Sequence, residues 1–80
     1  MPTVRRFSRS RIAMYFGDHA PPHFHIITVD DEEVQVEIET LGIIKGEADP
    51  RDTAEAFQWA ESNKEELRAR WREYSEEEKR

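Results

Sequence analysis

No cysteine occurs among the 80 residues, which excludes disulfides and thiolate metal sites and fits a reducing compartment. Glycine is scarce, with three copies, and none stands in a glycine-rich phosphate loop. There is no serine or cysteine nucleophile constellation. No apolar run approaches the eighteen or so residues of a membrane span, and Met1 to Phe7 lack the apolar stretch of a signal peptide. These absences lead to the expectation of a cytoplasmic chain that does not enter a membrane. A chain this short buries only roughly 60% of the surface its unfolded form exposes, so one thin core is expected, which a partner or a second copy of the chain would complete.

All three histidines fall within seven positions, in Asp18-His19-Ala20-Pro21-Pro22-His23-Phe24-His25. Histidine is the side chain whose unperturbed pKa lies nearest neutrality, so such clustering points to proton transfer, a metal or a polar partner. The net charge of −6 argues against an unspecific nucleic-acid binder, but the average hides a division. Residues 1–29 set Arg5, Arg6, Arg9 and Arg11 against Asp18 alone, a balance of +3, whereas the other eight basic and seventeen acidic residues leave −9 in the remainder. The basic end is also the histidine end, where a cationic field beside imidazoles suits a phosphate.

Hydrophobic alternation outlines the strands. Ile12, Met14 and Phe16 share one face of a strand that Gly17-Asp18 ends, and a short strand over Thr3–Phe7 would precede it. Phe24, Ile26 and Thr28 alternate with His23, His25 and Ile27, and beyond Asp30-Asp31-Glu32 the residues Val34, Val36 and Ile38 alternate with Glu33, Gln35, Glu37 and Glu39. This is a β-hairpin. A turn centred on Asp31 would oppose Thr28 to Val34, Ile26 to Val36 and Phe24 to Ile38, leaving His25 opposite Glu37 and His23 opposite Glu39. Leu41–Gly46 reads as a turn and a short edge strand.

Asp49-Pro50 opens a helix, with Asp49 as N-cap and Asp52 in the first turn, expected to bury Thr53, Ala56, Phe57 and Ala60. Ser62-Asn63-Lys64-Glu65 has the capping-box pattern of a second helix carrying Leu67, Trp71 and Tyr74. The fold class is α+β: a single domain over 1–80, with an antiparallel sheet of three to four strands over about 3–46. Helices over about 50–62 and 63–76 pack on its Phe24/Ile26/Val36/Ile38 face and leave the histidine face open.

Three chemistries fit that face. In acid/base cleavage of a phosphodiester, His23 and His25 take and return protons, Glu37 orients a ring, and Arg9 or Arg11 holds the phosphate; His19 and, more weakly, Tyr15 join the site. As a metal site, His19, His23 and His25 supply three nitrogens for a divalent ion, with Asp18 or Glu37 as a further ligand. As a non-catalytic network, the histidines and Glu37 pair across strands to shape a protein-binding surface. The first and third require no cofactor.

Met1-Pro2-Thr3-Val4, Met14 through His25, Ile38-Glu39-Thr40-Leu41, Gly46-Glu47, Trp59-Ala60-Glu61, Glu65-Glu66-Leu67 and Trp71 together resemble the small bacterial family known as domain of unknown function 4160. The D-H-x-P-P-H-F-H core is its specific signature. Members of that family resemble the toxin half of a two-gene toxin–antitoxin module, which implies a small cognate antitoxin-like partner. It also directs attention to His19, Pro21, Pro22, His23 and His25, with Tyr15 as companion, and leaves RNA as a candidate target. The sequence departs from the family pattern at Ser8-Arg9-Ser10-Arg11, where relatives tend to be apolar or glycine-containing, and at Asn63, where many carry histidine; the added arginines favour a phosphate-bearing target.

Overall fold

The computed structural model describes residues 3–15 and 20–78, with side chains as far as Tyr74. Five strands, β1 (Thr3–Arg6), β2 (Ser10–Ala13), β3 (His23–Thr28), β4 (Glu33–Glu37) and β5 (Ile43–Gly46), precede helices α1 (Pro50–Ser62) and α2 (Lys64–Glu78). The strands form one antiparallel sheet in the order of the chain, one strand more than the three to four expected. The outermost strand β1 was the least legible, because Thr-Val-Arg-Arg has no clear alternation. It is closed onto β2 by a tight link in which the Phe7 amide donates to Ser10 O at 2.7 Å.

The β3–β4 hairpin keeps the expected faces but not the expected register. Phe24 opposes Val36, Ile26 opposes Val34, His23 opposes Glu37 and His25 opposes Gln35, a slip of two residues. Its cause is the loop. The Asp31 amide donates to Thr28 O at 2.9 Å and the Thr28 amide to Glu32 O at 2.8 Å, while Asp31 takes φ +65°. This is the three-residue loop of Val29, Asp30 and Asp31, ending in a left-handed residue that aspartate tolerates better than most side chains.

One face of the sheet supplies Ile12, Met14, Phe24, Ile26, Val34, Val36 and Ile38 to a core completed by Ala56, Ala60, Leu67 and Tyr74. Each large side chain removed from water there contributes roughly 1.5–3 kcal/mol. Helix α1 begins where expected. Asp49 accepts from the Arg51 amide at 2.9 Å, and the helix is tied to the β1–β2 link by Arg9, which donates to the buried Asp52, and by Ser8, which donates to Glu55. Asn63 rather than a Ser62 capping box makes the break. Its amide donates to Ala60 O, its side chain donates to Trp59 O, and its carbonyl accepts from the Leu67 amide. Helix α2 lies at the end of the sheet where β4 stops, with Lys64 and Arg68 both donating to Glu39. Arg68 thereby holds the Glu39 carboxyl below its ordinary range.

Candidate functional site on the histidine face

Strand geometry decides which side chains meet on the side of the sheet away from the core. The register sets Ala13 opposite His25 and Arg11 opposite Ile27, so β2 sends Arg11 and Ala13, and then Tyr15 beyond the strand end, to the same face as His23 and His25. Tyr15 meets His25 edge-on at 4.5 Å between ring centroids, the two imidazoles lie 5.2 Å apart, and Trp71 from α2 stands 5.2 Å from His23. The face expected to be open is therefore covered at its histidine end. His23 and His25 are only 6% and 5% exposed.

Hydrogen bonds fix the ring chemistry. His25 donates from Nδ1 to Glu33 Oε2 at 2.6 Å, and His23 donates from Nδ1 to Pro21 O at 2.7 Å; a cis peptide joins Ala20 to Pro21. A carbonyl and a carboxylate only accept, so each ring donates from Nδ1. The carboxylate on His25 is Glu33, reached diagonally from the position opposite Ile27. Glu37, expected opposite His25, stands opposite His23 instead, because of the two-residue slip. The Glu33 side chain is 45% exposed, so the His25–Glu33 pair runs from the packed interior to the surface.

His19 and Asp18 lie outside the described residues. Among the described residues no group of three or more histidine, cysteine, aspartate or glutamate side chains is placed to hold a metal ion; of the expected three-nitrogen set, His23 and His25 are adjacent. The arginines divide. Arg9 is committed to Asp52, whose hydrogen bond raises the guanidinium pKa further, and so anchors α1 away from the histidine face. Arg5 lies over the Trp59 ring at 5.7 Å. Arg11 does reach the histidine face, donating to Thr3 Oγ1 at 3.3 Å, and Arg6 stands directly opposite it.

Sequence reasoning set Glu33 on the histidine face by its alternation but gave His25 the wrong carboxylate, and it missed Trp71 and Arg6 as members of this face. The signal for Glu33 was the aspartate-rich loop, since a left-handed aspartate shortens the hairpin and brings Glu33 diagonally to His25. For Trp71 no signal existed, because the i, i+4, i+7 stripe with Leu67 and Tyr74 describes a core-facing helix equally well.

No helix among the described residues is long and apolar enough to cross a membrane. No curated protein and no solved structure gave a match. The family model described as Domain of unknown function (DUF4160) does match, over residues 10–72, from β2 to the contact that Trp71 makes with His23, and the chain belongs to that family.

Proposed function

We propose that this chain is the toxin component of a bacterial toxin–antitoxin pair and acts through its histidine face on a phosphate-bearing target, RNA foremost. The observation that carries the reading is the His25–Glu33 hydrogen bond. A carboxylate on Nδ1 orients the ring, leaves Nε2 basic and stabilises the imidazolium once a proton arrives. In this chemistry Nε2 of His25 takes the 2′-hydroxyl proton, the 2′-oxygen attacks phosphorus, and the 5′-oxygen leaves with the Nε2 proton of a His23 that enters the reaction as the imidazolium. Tyr15 positions His25 through their edge-on contact, and Arg11 supplies cationic charge on the same face. No cofactor is required. The antitoxin-like partner adds a strand along β5, whose Ile43 and Ile44 are 55% and 46% exposed on the sheet edge.

A second reading, a protein-binding module with a structural His/Glu network, is favoured by the burial of both imidazoles. One experiment separates the two. The native chain, His25→Ala and Glu33→Gln are induced in bacteria without a partner, with immunoblots for expression and circular dichroism for folding. Arrest by the native chain and normal growth with folded His25→Ala supports the toxin reading. Normal growth with all three refutes it, and loss of cooperative unfolding in His25→Ala marks the network as structural.

A further inference from the structure

Arg6 and Arg11 form a directly opposed pair across β1 and β2. Like charges in that relation repel and weaken the pairing. Arg9, Arg51, Arg68 and Arg70 each hold a carboxylate, but among the described residues Arg6 and Arg11 have none, and Arg11 donates to the Thr3 hydroxyl instead. Arg6 and Arg11 line a cleft of about 210 Å³, with Ile27 and Val29 among its other lining residues, and Val29 is 58% exposed. Glu33, the nearest carboxylate in the register, opposite Ile27, is turned to His25. An uncompensated cationic pair beside an apolar wall is suited to an anion with an apolar body attached.

We propose that this cleft binds one phosphodiester of single-stranded RNA, with Arg6 and Arg11 on the phosphate oxygens and Ile27 and Val29 against the attached ribose and base. The inference deepens the reading of the histidine face as the target-binding face and rests on it. Arg11 precedes Ala13, and Ile27 follows His25, by two positions in neighbouring strands. The phosphate is thereby held roughly 7 Å along the strands from the imidazole row, which places the neighbouring linkage of an extended strand over His23 and His25.

The test is fluorescence anisotropy with a labelled short oligoribonucleotide across a salt series, comparing the native chain, Arg6→Gln/Arg11→Gln and Arg51→Gln. The double variant should bind at least about tenfold more weakly, from the loss of charge-assisted hydrogen bonds, and its plot of log K against log salt should be shallower by about 0.7, one phosphate contact on a single strand. Arg51→Gln, whose native partner is Asp49, should bind like the native chain. Removing a like-charge pair also predicts that the double variant melts no lower than the native chain. Native affinity in the double variant, or equal weakening by Arg51→Gln, overturns the proposal. Inorganic phosphate displacing the RNA at matched phosphate concentration makes this a free-phosphate site and overturns the RNA assignment. Growth without arrest while the arginine dependence persists removes the toxin reading and leaves the cleft standing.

Discussion

Gly46 allows the sharpest test of how the sheet edge supports the site. Its φ is +91°, and a Cβ built on it falls 2.2 Å from the Glu33 carbonyl oxygen and 3.2 Å from Val34 Cα. Real Cβ contacts essentially never fall below 3.0 Å, so in Gly46→Ala either β5 must withdraw from β4 or the Glu33 backbone must yield. The left-handed conformation alone costs an alanine roughly 1–2 kcal/mol. Loss of edge pairing adds about one hydrogen bond's net value, ~1 kcal/mol, giving about 2–3 kcal/mol. A domain of this size has a total stability of roughly 4–12 kcal/mol, so a substantial fraction disappears. The assay is urea unfolding followed by circular dichroism, with Gly42→Ala beside it. At Gly42 the nearest atom is Thr40 Oγ1 at 3.2 Å, the end of an exposed side chain, and a change within about 0.5 kcal/mol is expected. Because the displaced atom belongs to the residue that holds His25, the Gly46→Ala protein should also show altered His25 ring resonances by NMR. A destabilisation below about 0.5 kcal/mol, or one no larger than that of Gly42→Ala, would refute the reasoning.

Among the described residues Ser10 Oγ is buried without a hydrogen-bond partner, a cost of about 1–3 kcal/mol, so Ser10→Ala should leave the urea midpoint unchanged or raise it; a clear fall would reveal a partner for the hydroxyl. Leu67 is fully buried, and Leu67→Ala should lower stability by about 2–5 kcal/mol in the same assay. Arg68 lowers the Glu39 pKa chiefly through its hydrogen bond, so this stabilisation is complete above the unfolded-state pKa and is lost as pH falls through the folded one. The stability gap between the native chain and Glu39→Gln should therefore be present at neutral pH and close in acid. A gap that does not change with pH would exclude the ion pair as its source.

Elements whose local chemistry agreed with their packing could be read from the residues. Asp49-Pro50 and the spacing of Thr53, Ala56 and Ala60 specified α1, and Phe24, Ile26, Val34 and Val36 specified both the hairpin and the face that carries the core. Features set by one backbone angle or by a distant element could not be read. The φ of Asp31 shifts the hairpin by two residues, which preserves parity and hence the core but exchanges Glu37 for Gln35 opposite His25. The burial of His23 depends on a tryptophan 48 positions away, whose placement follows from the break at Asn63 and the hold of Lys64 and Arg68 on Glu39. Arg9 and Arg11 look alike in the sequence, yet one ties down a helix and the other faces the histidine side, because the strand begins between them.

The strand order follows the chain without a crossover, and this has a kinetic consequence. Each strand pairs with its sequence neighbour, so most of the sheet forms by closing short loops, whose entropic cost is small. The long closures are those that bring α1 back to β2, through Arg9 with Asp52 and Ser8 with Glu55, and α2 back to Glu39 and His23. Refolding in stopped-flow mixing should accordingly be fast for a five-stranded sheet, as low contact order implies. Substitutions at Asp52 or Arg68 should then act mainly on the unfolding rate, leaving the folding rate to the β3–β4 hairpin and its neighbours.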